Sequence, residues 1–161
     1  MDNGNNTFEY NRDGRGIVIY DFVPLHEVAE EIAKNLDKHY EDADSREDYG
    51  KANIDWDKYF ALSREGKCGV VTARNEGEMV GYSIFIIGTN INHKHIIEAL
   101  NTGLFIRKEW RGKIINEFLK KTDRYLKEIG VMRTNYALSD ARLGMLLKRK
   151  SYKDKFTTWS N

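Results

Sequence analysis

The residues most able to do chemistry together lie in one stretch, 104–129. A short apolar strand, Leu104–Ile106, runs through a basic turn, Arg107–Lys113, into an amphipathic helix. Such a junction aims free backbone N–H groups, the positive end of a helix dipole and Arg/Lys side chains at one point. It suits the capture of a phosphorylated ligand. For Arg111 and Lys113 the competing reading is a solvated turn with no ligand.

Other groups with chemical reach are few. Glu98 stands just ahead of the strand 99–106. His93 and His95 have the i, i+2 spacing that puts both on one face of an extended segment. They lack an evident third ligand, so no metal site is expected. Cys68, at the start of a strand, reads as a small buried apolar residue rather than a nucleophile. Trp56, Tyr59 and Phe60 can line a pocket or, by their helical spacing, simply pack in a core.

Composition bounds what must position these groups. With 161 residues, 40% hydrophobic, 32% charged and a single proline, the chain suits one domain with a real core. Its apolar runs are far too short to span a bilayer, so no membrane partner is expected. Met1–Asn6 is polar, without the apolar stretch of a secretory leader. One cysteine excludes an intramolecular disulfide and a cysteine-based metal cage. A reducing, cytoplasmic setting is the expectation. Residues 103–161 carry 15 Lys/Arg against 6 Asp/Glu, whereas 1–102 carry 11 against 19. The basic half suits an anionic ligand, or merely reflects lysine-rich solvated helix faces.

Periodicity supplies the elements. Residues 1–15 read as a polar, Asn/Gly-rich arm ahead of a single domain, 16–161. Gly16–Val23 reads as a strand, and Pro24 opens a helix with Leu25, Val28, Ala29, Ile32, Ala33 and Leu36 on one face. A short helix is expected at Asp55–Ser63. Strands follow at Cys68–Ala73 and Met79–Ile87, joined by a hairpin turn at Asn75-Glu76-Gly77. Next come a strand at Ala99–Ile106 and a helix at Ile115–Ile129, with Ile115, Phe118, Leu119, Thr122, Leu126 and Ile129 inward and Gly130 as its stop. A strand at Val131–Leu138, a helix at Asp140–Lys148 and a last strand at Tyr152–Trp159 complete the order β-α-α-β-β-β-α-β-α-β. Antiparallel runs followed by a β-α-β crossover require an α/β (α+β) fold with a mixed, mostly antiparallel sheet flanked by helices.

From Gly16 to Trp159 the chain resembles the GNAT superfamily of N-acetyltransferases. Leu104–Val131 is similar to that family's acetyl-CoA motif, with Trp110-Arg111-Gly112-Lys113 and Ile129-Gly130-Val131 at the expected spacing. Asp140–Tyr152 is similar to the family's closing helix. The acidic front half, the His-x-His and the Leu-Gly-x-Leu-Leu helix look most like GNAT-type proteins of tailed bacteriophages, which would imply a host cytoplasm.

The resemblance implies acetyl-CoA as cofactor and an amine of a protein or small molecule as acceptor. It assigns Leu104, Phe105 and Ile106 to main-chain contact with the cofactor. It assigns Arg111, Gly112, Lys113, Ile114, Ile115 and Asn116 to its phosphates. The motif's small residues are replaced by Ile114 and Asn116, and the tyrosine that protonates departing thiolate falls at Leu147. Tyr152, with Tyr136 behind it, is the candidate replacement acid. Glu98 is the candidate base, ahead of His93 and His95. The same departures support a rival reading: a GNAT-fold binding protein without catalysis, such as a phage factor docking on a host protein. No nucleic-acid motif accompanies the basic half, so nucleic acid is not an expected partner. A homodimer is among the expected assemblies.

Overall fold

The pleat of the apolar strands and the stripe of the helices combine into one layered arrangement in the computed structural model, which describes residues 8–10, 16–42, 53–136 and 141–150. Strands β1 (Phe8–Tyr10), β2 (Val18–Pro24), β3 (Cys68–Asn75), β4 (Glu78–Thr89), β5 (Ile97–Ile106) and β6 (Arg133–Tyr136) form one sheet in sequence order. Every neighbouring pair is antiparallel except β5 and β6, which are parallel. The helices are α1 (Leu25–Asp42), α2 (Trp56–Arg64), α3 (Arg111–Glu128) and α4 (Ala141–Arg149). The mixed, mostly antiparallel sheet agrees with the sequence pattern. The last expected strand, Tyr152–Trp159, lies outside the described residues.

Some boundaries move for physical reasons. Phe8–Tyr10, within the stretch expected to be a loose arm, pairs with Val18–Tyr20 as an edge strand. Helix α1 starts after Pro24, whose carbonyl side still belongs to β2 opposite Gly69. On α1, Leu25, Val28, Ala29 and Ile32 are buried as expected, but Ala33 is exposed and Asn35 takes the inward place, its amide donating to the Glu31 carbonyl at 2.9 Å. The β3–β4 turn is the hairpin expected, with two residues in its loop: Asn75 faces Glu78, and Glu76 and Gly77 both have positive φ, 50° and 82°. Asp55 caps α2, its carboxylate accepting from Lys58 N–H at 3.0 Å.

Helix α3 begins four residues earlier than its apolar period suggests. The end of the basic turn, Arg111–Lys113, therefore lies in its first turn. Ile114, Phe118, Leu119, Thr122, Tyr125 and Leu126 are its buried residues. Ile115 is only half-buried and Ile129, expected inward, is exposed. Gly130, at φ 88°, ends the helix as predicted.

Both faces of the sheet are covered. One cluster joins Val18, Tyr20, Val71, Phe85, Ala99 and Ile106 to the buried side of α3, where the Tyr125 hydroxyl donates to the Tyr20 carbonyl at 2.8 Å. The other packs Leu25, Val28 and Ile32 of α1 on Val70, Tyr82, Ile84 and Phe105, with Trp56 and Tyr59 of α2 at its margin. Arg74 of β3 ties to α1 through a two-pronged bond to Glu31, 2.8 and 2.5 Å. Among the described residues, no helix is long and apolar enough to cross a membrane.

Candidate functional site

The site is organised by one extra residue in β5. Pairing with β4 runs in one register from Thr89↔Ile97 to Phe85↔Asn101 and in another from Ile84↔Gly103 to Gly81↔Ile106. Thr102 is left over, a β-bulge, and such an insertion re-aims the side chains around it. Thr102 and Gly103 consequently both face α1 and α2. The Tyr59 hydroxyl donates to Thr102 Oγ1 at 2.9 Å, and a Cβ on Gly103 would lie 3.4 Å from His39 Cε1. Beyond the bulge, Phe105 packs under α1 while Leu104 and Ile106 pack under α3. Asn101, 3% exposed, stitches the bulge closed: its amide nitrogen is shared by Ser83 Oγ (2.8 Å), the Ile84 carbonyl (3.1 Å) and the Gly103 carbonyl (3.1 Å).

The same register decides where the β5 main chain points. Arg107 N–H donates to the Val80 carbonyl at 2.9 Å, which fixes the hydrogen-bonded pairs two residues apart, at Phe105 and Gly103. The amides and carbonyls of Leu104 and Ile106 therefore point away from β4. The Ile106 carbonyl accepts from Arg111 Nε at 2.8 Å. Strand β6 pairs with Glu98–Asn101 alone, so among the described residues no strand pairs with that side of β5 beyond Asn101.

Immediately after β5, the first turn of α3 is open. Trp110, its N-cap, makes no side-chain capping bond, and the turn holds no acidic residue. A Cβ on Gly112 would meet nothing within 4 Å. Lys113 is exposed with its ammonium 5.4 Å from the Trp110 ring centre. The other positions assigned to phosphate behave differently. Ile114 is 3% exposed in the α3 core cluster and half-buried Ile115 packs against it, so both side chains serve the core. Asn116 is exposed, and its carbonyl accepts from Lys150 Nζ at 3.3 Å.

On the opposite face of β5, over the bulge, lies a cavity of about 60 Å³. Leu25 and Ile32 make its apolar floor; His39, Tyr82, Trp56, Tyr59, Thr102 and Gly103 supply its chemistry. His39 Nδ1 lies 2.6 Å from the hydroxyl of the fully buried Tyr82, and the imidazole stacks on Phe105 at a centroid distance of 5.4 Å. Trp56 and Tyr59, two of the three aromatic candidates, line the cavity; Phe60 stacks on Trp56 at 6.1 Å instead. His39 was legible as a histidine seven residues after Ile32 on the apolar stripe of α1. Its partner Tyr82 carried no signal of its own inside an apolar strand.

The remaining candidates are not brought to this place. Glu98 sits four residues up-strand from Thr102, about 13 Å by strand rise. Its carboxylate accepts from Asn90 at 3.1 Å and faces Arg133 at 3.7 Å. Both its oxygens thus have partners near the start of β5. His93 and His95 are exposed in the β4–β5 connection, their rings 6.1 Å apart. Among the described residues no three metal-ligating side chains gather. Cys68 is buried, and burial pushes its thiol up to about 11, the inert residue expected. Leu147 is buried on α4, Tyr136 packs edge-on against Phe85, and Tyr152 lies outside the described residues.

No family model matches the chain, and no curated protein sequence does. Solved structures do. An aminoglycoside acetyltransferase from an uncultured soil metagenomic sample matches with a TM-score of 0.68 at 15% identity, over 89% of this chain and 96% of that one. Another such aminoglycoside acetyltransferase, in complex with trehalose, gives 0.66 at 13% identity, covering 89% and 95%. A ribosomal-protein-alanine N-acetyltransferase from Brucella melitensis biovar Abortus 2308 gives 0.62 at 16%, covering 89% and 98%. The chain has the GNAT fold. These neighbours are acetyltransferases, and at such identities the likeness is one of fold.

Proposed function

We propose that the protein is an acetyl-CoA-dependent N-acetyltransferase. The observation that carries this reading is the turn of the Leu104 and Ile106 main chain away from β4, directly beside the open first turn of α3. An extended amide-containing arm can pair with the outward groups of Leu104, as a further strand would. Its diphosphate would meet the helix N-terminus at Arg111, Gly112 and Lys113. The residues fit that group in two respects. Protein packing does not use the space at Gly112, and the first turn is uncapped and free of carboxylates. Ile114, Ile115 and Asn116 would contribute through main chain only. Phe105, bonded to β4, would act by packing from below.

When bound, acetyl-CoA supplies an activated acetyl group at the level of the bulge. The chain's part is to hold it, to polarise the carbonyl with a main-chain N–H near Leu104, and to present an acceptor amine from the cavity on the other face. The acceptor is an amine on a small molecule or a protein; the neighbours named for aminoglycosides and for a ribosomal protein include both kinds.

Isothermal titration with acetyl-CoA tests the reading. A micromolar dissociation constant, with release of free thiol when amines are added, supports it. No heat and no thiol release would overturn it in favour of a binding protein built on the same fold.

A further inference from the structure

We infer that Asn101 is a positioning residue of this site: its buried side-chain amide pins the extra residue of β5 at Thr102 and so keeps the Leu104 main chain turned outward. The use of that main chain rests on the acetyl-transfer reading above; the pinning does not.

Packing demands a bulge here but leaves its place open. Ala99 is buried in the α3 cluster and Phe105 in the α1 cluster. Residues six apart on a regular strand share a face, so one extra residue must lie between these two. Leu104 is only half-buried, and its packing is a weak guide to the place. The place decides which main chain is free of β4. Because Arg107 N–H donates to the Val80 carbonyl, the β5 residues opposite Tyr82 and Ile84 are also bonded to β4. With Thr102 left over, these are Phe105 and Gly103, and Leu104 turns outward. An extra residue further along, at Gly103 or Leu104, would let the register of Phe85↔Asn101 run on and put Thr102 opposite Ile84. At Leu104 it would turn Gly103 outward in its stead.

Asn101 chooses among these places. It is the last β5 residue in the near register, opposite Phe85, whereas Ile84 and Gly103 form the first pair of the next. Its Nδ2 lies 3.1 Å from both of their carbonyls and 2.8 Å from Ser83 Oγ. Carbonyl oxygens only accept, so the end of the amide that faces them is the donor end. One side chain, 3% exposed, thus reaches across the mismatch and holds together the pair that leaves Thr102 over. Thr102 opposite Ile84 would carry the Gly103 carbonyl about 3.3 Å further along, out of reach of an amide held on Ile84. A satisfied polar group in the interior specifies one arrangement among several that pack alike. The same pin sets Thr102 Oγ1 in the cavity, where it accepts from Tyr59.

The test uses the full chain as wild type, Asn101→Leu and Ser83→Ala. Cross-strand NMR contacts without ligand read the register, and calorimetry reads acetyl-CoA affinity. Wild type is expected to show Gly103 alone opposite Ile84. Asn101→Leu, of similar side-chain volume, is expected to show a second register with Thr102 opposite Ile84. Acetyl-CoA affinity should fall by the inverse of the fraction left in the wild-type register, about fivefold if one-fifth remains. Saturating acetyl-CoA should return the variant to the single wild-type register. A residue that only stabilises the fold would give no such match between population and affinity. An unchanged register in Asn101→Leu would overturn the pin. A second register with wild-type affinity, or lost affinity without a second register, would overturn the positioning role. Should Asn101→Leu not fold, Ser83→Ala decides: it removes one of the three partners and is expected to broaden the amide signals of 102–104 by exchange between registers. Sharp wild-type signals there would overturn the pin. A wild type that binds no acetyl-CoA overturns the cofactor reading and the positioning role with it, while the NMR contacts still decide whether Asn101 pins the bulge.

Discussion

His39 and Tyr82 join two layers of the molecule through one hydrogen bond, 2.6 Å from imidazole Nδ1 to phenol oxygen. Forty-three residues separate them. The tyrosine is fully buried in the middle of β4, and the histidine closes the apolar stripe of α1. The bond fixes an ionisable ring against the β5 bulge, where a main chain free of β4 and a small cavity meet.

Arg111 bridges the end of β5 and the start of α3, with one of its five donors on the Ile106 carbonyl. Arg111→Glu sets a like charge against the proposed diphosphate. Acetyl-CoA affinity should fall at least tenfold, about 1.4 kcal/mol. Lys113→Glu should act in the same direction without touching the strand. Calorimetry on both variants decides, and unchanged affinity in both would empty the phosphate site.

Gly112 separates packing from binding. Among the described residues, a Cβ placed there meets nothing within 4 Å, so Gly112→Leu should leave the melting temperature within a few degrees of wild type. The same side chain would project where the diphosphate is proposed to sit. We expect acetyl-CoA affinity to drop by an order of magnitude, roughly 1.4 kcal/mol. A variant that binds normally would show that nothing approaches this turn.

The Arg74 guanidinium, hydrogen-bonded to Glu31, holds that carboxyl below its ordinary 4.5. A carboxyl with a depressed folded-state pKa binds fewer protons folded than unfolded. Its stabilisation is therefore complete above the unfolded value and lost as pH falls through the folded one. Glu31 is partly exposed, so solvent screens the pair and its worth is about 1 kcal/mol at most. Glu31→Gln should cost that much in denaturant unfolding at pH 7 and converge with wild type in acid. A constant difference across pH would mean the effect is packing alone.

Cys68, buried and with its thiol raised to about 11, should not react with a thiol reagent such as dithionitrobenzoate at pH 8 while the protein is folded. Reaction should be complete in denaturant. Cys68→Ala should preserve acetyl transfer. Rapid labelling of the native protein would contradict the burial of β3's first residue.

The amino-acid sequence by itself determined the order of elements, because period-2 and period-3.6 apolar patterns depend only on neighbours along the chain. The hairpin at Glu76-Gly77 and the stop at Gly130 were readable for the same reason: each is a local demand for positive φ. Arg111, Gly112 and Lys113 were readable as lying at a strand-to-helix junction, which is a local device, and their part in anion binding is proposed on that pattern. The start of α3 was not. Nothing local distinguishes a basic turn from a basic first turn of helix, and the burial of Ile114 against β5 decided it.

Tertiary structure alone decided the rest of the geometry around β5. A bulge is a mismatch of register between two strands, and neither strand announces it. Thr102 could not be seen to share a face with Gly103, nor Glu98 to be stranded beside Asn90 and Arg133. His39 joined the cavity once α1 was laid across β4 and β5 and its ring met Tyr82 and Phe105. A site depends on distances between groups far apart in the chain, and those distances exist only after the sheet has closed under its helices.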